Sequence, residues 1–344
     1  MTLTELKAAI KSGKLDSWII IAGEEDYLKN HYQKEIKKLV AADDSDPFAL
    51  FNYTSFDGDD FNIASFRDAL YSPPMMSEFK LIEWRHADLE KMKESDRAAL
   101  LSLAENRADY PYAYFLITTL ADGFDVGTER KRSKLYARLK EHFDIAVFDK
   151  STDAQLISWL RRHFDKEGIL ADERVLCAML FRVGHSMFML NEEVTKLASY
   201  AKANGKSQIS CEDVEEICSI SAESDAFAIS NAIIEKNAEK AFLALGDMKQ
   251  QRIEPPAVLA QLARTYSDLL SVSMLADEGM GSDDIAEIMK FHPYRLKLYM
   301  AAAKKTGTKK LAEALDRLIK IDAASKMGGV RGYKSVEMFI SQNI

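Results

Sequence analysis

The chain has 344 residues, of which 47% are apolar and 29% charged, and its formal net charge is −8. That length exceeds what one hydrophobic core usually organises, so we expect two or three domains. No apolar run approaches the ~20 residues that span a bilayer, and no segment carries the strong basic excess of a dedicated nucleic-acid-binding domain.

Two further features narrow the class of protein. Residues 1–5 lack the basic and apolar stretches of a secretory signal, which predicts a cytoplasmic protein without a membrane partner. The three cysteines, Cys177, Cys211 and Cys218, form no C-x-x-C pair. Their odd number argues against a disulfide framework and against a structural zinc site, so we expect buried or half-buried thiols.

Residues 1–149 alternate strand-like and helix-like segments. Short β-rich apolar runs occur at 18–22, 51–56, 79–84, 113–118 and 144–148. Amphipathic helical patterns lie between them at 27–40, 61–71, 88–105 and 129–142. Because parallel strands need crossover connections, this order predicts an α/β domain with a five-stranded parallel sheet covered on both faces.

After residue 149 the strand signals stop. Residues 150–222 contain three to four short helical patterns with capping residues, which predict a small helical domain. Residues 223–344 contain seven helical segments joined by short connections, and the longest of them is 256–278. These segments predict a C-terminal all-α bundle.

The connection after the first strand is where an α/β nucleotide-binding protein would hold phosphate. A P-loop has G-x-x-x-x-G-K-[ST] there, whereas this chain has a single glycine, Gly23, followed by the carboxylates Glu24, Glu25 and Asp26. Each carboxylate stabilises a helix start by ~0.3–1 kcal/mol and repels a triphosphate. The third predicted strand offers only Glu83 and no acidic pair for magnesium. We therefore predict no nucleotide, metal or other cofactor.

The sequence also lacks the other common catalytic motifs. H-E-x-x-H, G-x-S-x-G and the Rossmann glycine pattern are all missing. A catalytic centre assembled only by tertiary proximity stays open at this stage. The favoured prediction is a protein without intrinsic catalysis.

Four stretches, in order, resemble the delta subunit family of bacterial DNA polymerase III. Residues 18–28 have an apolar strand followed by G-x-[ED]-x-[YF]-L, and residues 74–82, PMMSEFKLI, resemble P-L-F-G-E-R-R-L-V. Residues 191–200 resemble N-E-[IL]-x-K-L-x-x-Y, and residues 226–233 resemble F-x-L-x-D-A-I. Each stretch is weak alone, but their order and spacing are fairly specific. The missing cysteine-rich zinc module and S-R-C motif separate the chain from the related motor and delta-prime subunits.

The resemblance implies an AAA+-like α/β domain at 1–149, a lid-like helical domain at 150–222 and an oligomerisation collar at 223–344. It implies a non-catalytic subunit of a DNA-directed DNA polymerase, a nucleotidyltransferase assembly. That subunit would bind the beta sliding clamp and favour its opened state for loading onto primed DNA. The ATP-binding gamma/tau motor subunits and the delta-prime subunit would be its partners, and it would meet primed DNA only within the assembled complex.

The residues expected to bind the clamp follow a Pro73-Pro74 break in the third helical pattern. The two prolines stop the helix, so the chain must turn and can present the next side chains at a tip. Two consecutive methionines are flexible and apolar, which suits a shallow hydrophobic pocket. The family pattern has Leu-Phe at these two positions, so the aromatic ring is missing here. The predicted contact residues are Pro74, Met75 and Met76, with Phe79, Leu70 and Tyr71 in support.

Several alternatives remain at this stage. The methionines would serve only packing if they filled the space beneath the turn. The chain would be an AAA+ ATPase if its degenerate P-loop bound ATP, or a DNA-binding adaptor if its C-terminal cations approached DNA. A generic interaction protein is the third alternative function. The cations in question are Lys304, Lys305, Lys309, Lys310 and Arg331.

Overall fold

The computed structural model describes residues 1–40, 49–128, 131–327, 329 and 332–344. Two compact units divide the chain, Met1–Ser151 and Thr152–Ile344. This division does not test the predicted boundary at residues 222 and 223, so the three-domain organisation stays a prediction. Within the described ranges, no helix combines the length and the apolar character that crossing a bilayer requires.

The first unit is built around a five-stranded parallel sheet with the order β2-β3-β4-β1-β7. Two further strands among the described residues, β5 and β6, pair as a short antiparallel hairpin. The strands are β1 Trp18–Ala22, β2 Tyr53–Asp57, β3 Lys80–Ala87, β4 Ala113–Thr119, β5 Gly127–Thr128, β6 Lys131–Arg132 and β7 Asp144–Val147. The predicted parallel sheet is confirmed, whereas the hairpin was not predicted.

The central strand β1 shows why this sheet is buried on both faces. All five of its residues are buried, and successive side chains of a strand point to opposite faces. Trp18 and Ile20 belong to the apolar core on one face, and Ile19 and Ile21 belong to the core on the other. The covering helices are α1 Leu3–Ser12, α2 Asp26–Val40, α3 Ile63–Tyr71, α4 Glu94–Glu105 and α5 Lys134–Lys140, with 3-10 turns at Ala49–Asn52, Gly58–Asp60 and Arg107–Asp109.

The element boundaries differ from the predicted ones where a turn precedes a regular element. β2 starts at Tyr53 because residues 49–52 form a 3-10 turn, and α4 starts at Glu94, six residues later than predicted. Helix α1 was missed altogether. Its start is fixed by a capping box between Thr2 and Glu5. The predicted helix 129–142 is wrong at its start, because Lys131–Arg132 form β6 and α5 begins at Lys134; Glu129 and Arg130 lie outside the described residues.

Among the described residues of the second unit, the regular elements are helices, as predicted. Its helices are α6 Asp153–Glu167, α7 Glu173–Val183, α8 Met187–Ala203, α9 Cys211–Ile217, α10 Ala222–Ile234, α11 Ala238–Gln250, α12 Pro255–Asp277, α13 Ser282–Met289, α14 Pro293–Thr306, α15 Thr308–Lys326 and α16 Tyr333–Asn343. The α12 stripe packs inward, with Leu262 and Tyr266 buried. The prediction for the thiols is also confirmed, because Cys177 and Cys218 are buried and Cys211 is half-buried.

Candidate functional site

The loop between β1 and α2 is closed by contacts with the end of the sheet. Gly23 has a φ of +106°, and a Cβ atom there would lie 2.3 Å from the carbonyl oxygen of Phe148. The same carbonyl oxygen also holds the backbone two residues later, because the Glu25 N–H group donates a hydrogen bond to the Phe148 oxygen at 2.9 Å. Glycine is therefore required for backbone packing. The Glu25 N–H group, which in a P-loop would face phosphate, already has a partner.

The lysine of this loop is bound within the protein. Lys29 stands six residues after Gly23, the spacing that separates glycine and lysine in G-x-x-x-x-G-K. Its side chain is 2% exposed, its ammonium lies 2.9 Å from the Asp26 carboxylate, and it donates to the Thr119 carbonyl at 2.8 Å. Leu28 replaces the second glycine of the motif. The ammonium thus has an internal carboxylate partner and an internal carbonyl acceptor.

The three loop acids have different surroundings. Glu24 lies 3.6 Å from the ammonium of Lys150 in an exposed ion pair. Glu25 is half-buried, and burial raises the pKa of its carboxyl. Asp26 begins α2 and stays 66% exposed. Asp26 lies in the first turn of α2, where a negative charge is favourable as predicted, whereas Glu24 and Glu25 precede the helix and burial disfavours the charged form of Glu25.

The acid on β3 belongs to a buried network. Glu83 is 1% exposed, and its carboxylate accepts hydrogen bonds from Gln33, at 2.6 Å, and from the Tyr53 hydroxyl. Burial, and to a smaller extent the hydrogen bond to Glu83, raises the pKa of Tyr53 to about 12. Glu83 therefore braces β3 against β2 and α2. Within the described ranges, no group of His, Cys, Asp and Glu side chains has the arrangement of a metal site.

The predicted tip follows α3, where Ser72 ends the helix in an extended conformation. Met75 is 47% exposed and Met76 is 80% exposed. Met76 has a φ of +53°, a conformation that L-residues adopt at a cost of about 1 kcal/mol or more. The side chain of Met76 is therefore exposed to solvent on a backbone of positive φ, and Pro74 is half-buried.

The three supporting residues have distinct positions. Leu70 is fully buried in the core under the sheet, so it supports the turn from below and has no surface for a partner. Tyr71 is 50% exposed and stacks on Tyr110 with 5.5 Å between ring centroids. Phe79 is half-buried and packs edge-on against Tyr114 at 5.4 Å. Of these three, only Tyr71 adds substantial exposed surface to the tip.

Two polar residues outside the predicted contact set fix the turn. Lys80 is 6% exposed, and its ammonium donates to the carbonyls of Ala69 and Ser72 at the C-terminal end of α3. Burial lowers the pKa of Lys80 to about 8. The carboxamide of Asn52 accepts from the Met75 amide at 2.6 Å and donates to the Met75 carbonyl at 2.8 Å. The PMMSEFKLI stretch contained Lys80, but no local pattern pointed to Asn52.

The cations of the C-terminal helices that the structure describes are exposed to solvent. Lys304, Lys305, Lys309 and Lys310 are all exposed, and Lys305 lies 3.5 Å from the Glu235 carboxylate. Arg331 lies outside the described residues. This arrangement resembles a solvated helix surface more than a phosphate-binding groove.

Comparisons with known proteins all indicate the same family. Residues 19–143 match the family described as DNA polymerase III, delta subunit, and residues 223–343 match its C-terminal domain. The chain is 24% identical to DNA polymerase III subunit delta of Bacillus subtilis, with 97% of this chain and 94% of the relative covered. It is similar in fold to the structure of the Bacillus subtilis DNA clamp loader delta protein, with a TM-score of 0.58, 21% identity and 98% of each chain covered.

Proposed function

Because the chain belongs to the DNA polymerase III delta subunit family, we propose that it binds the beta sliding clamp through Met75 and Met76 and favours the opened ring. Its partners in this role are the ATP-binding gamma/tau motor subunits and the delta-prime subunit. Primed DNA enters only in the assembled cytoplasmic complex. The observation that carries the proposal is the 80% exposure of Met76 on a turn fixed by buried polar side chains.

A rigid apolar tip suits the recognition of a hydrophobic pocket. Exposed methionines adapt to a pocket through three rotatable bonds and a polarizable sulfur, and one well-buried apolar anchor often supplies most of the energy of an interface. The Lys80 and Asn52 bonds restrict the turn before binding, which reduces the ordering cost on association. Binding opens the ring only by as much as the chain binds the open form more tightly than the closed one.

We further propose that the chain does this work without hydrolysing ATP. The internal partners of Lys29 support this part of the proposal, because phosphate would have to displace the Asp26 carboxylate and the Thr119 carbonyl. The loop acids would add repulsion. The neighbouring motor subunits would then supply the nucleotide-driven change, and this chain would convert it into a change in clamp contact.

The ring-opening step is testable without any nucleotide. Fluorescent clamps are trapped on closed circular DNA, and the purified chain is added in the absence of ATP and of the other subunits. We expect the chain to speed the release of the clamps from the circles. Linear DNA is the control, because rings slide off its ends without being opened. Release from circles at the spontaneous rate would contradict the proposed function.

A further inference from the structure

Among the described residues of the first unit, the most exposed large apolar side chains lie in two short segments. Among the described residues of Met1–Ser151, the large apolar side chains that are at least 47% exposed are Leu50 at 84%, Met76 at 80%, Phe51 at 67%, Tyr71 at 50% and Met75 at 47%. They occupy only residues 50–51 and 71–76. Grouped exposed apolar side chains are typical of an interaction surface, whereas scattered single ones are ordinary.

Asn52 joins these two segments. It is 2% exposed, and its carboxamide bonds both backbone polar groups of Met75, although the two residues are 23 positions apart. A reciprocal pair of this kind holds the Asn52 side chain against the Met75 backbone and so limits the separation of the two segments. Phe51 immediately precedes Asn52, and Met76 immediately follows Met75. The pair therefore holds the two apolar segments side by side.

From this geometry we infer that Leu50 and Phe51 form a second apolar anchor of the clamp-contacting surface. Asn52 is then the positioning residue that sets this anchor beside Met75 and Met76. The inference rests on the proposed function, because its partner is the same sliding clamp. It is supported by the two hydrogen bonds between Asn52 and Met75, which link residues 50–51 to residues 71–76.

The second anchor supplies a chemistry that the methionine tip lacks. Met75 and Met76 offer flexible aliphatic surface, whereas the strongest contributors to interfaces are enriched in rigid aromatic side chains. Phe51 offers an aromatic ring with two rotatable bonds and 67% of its surface exposed. The partner surface is accordingly a hydrophobic pocket with an adjoining apolar shelf that accepts the ring.

The first test uses the wild-type chain, so it does not depend on the folding of a variant. Hydrogen–deuterium exchange is measured with and without saturating sliding clamp. We expect slower exchange on clamp binding at residues 50–52 as well as at 75–77. Slower exchange at 75–77 alone overturns the second anchor and leaves the proposed function intact. A clamp that does not bind the wild-type chain overturns both.

The second test compares matched variants by their clamp Kd. We expect Leu50→Ser/Phe51→Ser to raise Kd by about tenfold or more, with the melting temperature close to that of the wild type, because both side chains are exposed. Leu120→Ser is the control, since Leu120 is an exposed apolar residue outside the two segments. Equal Kd values for Leu50→Ser/Phe51→Ser and the control overturn the inference.

The role of Asn52 is tested by a double-mutant cycle. We expect Asn52→Ala to raise Kd several-fold, and this effect to shrink when Met76 is already serine, since the bond acts through the tip. Asn62→Ala is the matched control, because the Asn62 side chain accepts a backbone hydrogen bond from Ser65 at 2.8 Å. We expect the loss of this hydrogen bond to lower stability without changing the Kd for the clamp. Full additivity of Asn52→Ala with Met76→Ser would show that Asn52 does not position the tip.

Discussion

The ammonium group of Lys29 lies 2.9 Å from the carboxylate of Asp26, one helical turn before it in α2. The two charges form a short ion pair, with the lysine 2% and the aspartate 66% exposed. The Thr119 carbonyl is the second acceptor of the same ammonium. A lysine at the spacing of a phosphate-binding motif is thus used to join α2 to the end of β4.

We predict that Lys29→Met lowers stability and leaves nucleotide affinity unchanged. The substitution removes a buried donor, so the Thr119 carbonyl loses its hydrogen bond and the Asp26 carboxylate its partner. The expected loss in the free energy of unfolding is about 1–3 kcal/mol. Urea denaturation measures it, and Lys34→Met on the exposed face of the same helix is the control.

The same variant separates this account from an ATPase with a degenerate P-loop. In an ATPase, the lysine contacts phosphate, so its loss abolishes ATP binding at little cost in stability. Here we expect calorimetric titration with ATP to give no heat of binding for the wild type or for Lys29→Met. Submillimolar ATP binding by the wild type, lost in Lys29→Met, would contradict the structural role of Lys29.

Lys80 makes the stability of the folded chain depend on pH, and the sign of this dependence follows from its lowered pKa. The folded value is about 8, whereas an unfolded lysine titrates near 10.4. Between these values the unfolded chain binds more protons, so the contribution of Lys80 to stability rises with pH through that window. The amine keeps two N–H donors after losing its proton, so both hydrogen bonds to α3 persist.

This prediction is checked by the difference between the wild type and Lys80→Met. Urea denaturation at intervals from pH 7 to pH 10.5 gives both free energies of unfolding, and the shared titrations cancel in the difference. We expect the free energy of unfolding of the wild type, relative to that of Lys80→Met, to increase as the pH rises above about 8. A flat difference over this range would show that folding leaves the pKa of Lys80 unchanged, and a falling difference would show that folding raises it; either result would contradict the lowered pKa.

The sheet and most helices could be predicted from the sequence, because each of them depends on local patterns of apolar and capping residues. Strand β1 is a run of five buried apolar residues, and the second unit has strong caps such as Thr152 with Gln155. Helix α1 had an equally clear signal, since Thr2 and Glu5 form a capping box. It could have been predicted from that spacing alone.

The bracing of the tip could not be predicted in the same way. Asn52 finds its partner 23 residues away, and no periodicity or turn pattern encodes a contact of that range. The positive φ of Met76 was equally hidden, since methionine is not a residue that favours this conformation. The sequence therefore located the tip through the Pro73-Pro74 break, and the structure added the residues that hold it.

We predict that Met76→Gly uncouples stability from clamp binding. Glycine relieves the cost of the positive φ but gains freedom in the unfolded chain, and the two effects are each about 1 kcal/mol. The free energy of unfolding should change by less than about 1 kcal/mol. Clamp Kd should rise by about tenfold, because the anchor is lost.

Met76→Leu serves as the partner variant for this experiment. It keeps an apolar side chain of similar volume on the same backbone, so clamp binding should stay close to that of the wild type. Denaturation and binding are measured on the same preparations. Strong clamp binding by Met76→Gly would show that the side chain of Met76 is not an anchor.

The thiols provide a prediction for the second unit. Burial raises the pKa of Cys177 to about 11, and burial together with the nearby Glu193 raises that of Cys218 to about 12. At neutral pH both thiols stay protonated. We therefore expect them to react with Ellman's reagent at least about two orders of magnitude more slowly in the folded chain than in urea. Rapid modification of either residue, identified by mass spectrometry, would contradict this packing.

The most direct test of the account is the affinity of the beta sliding clamp for a chain without the methionine tip. Met75→Ser/Met76→Ser is compared with the wild type and with Leu120→Ser by surface plasmon resonance, after thermal melting has shown that all three are folded. We predict that the tip variant loses at least about tenfold in affinity and that Leu120→Ser does not. Equal clamp affinity in all three folded proteins would contradict the central claim.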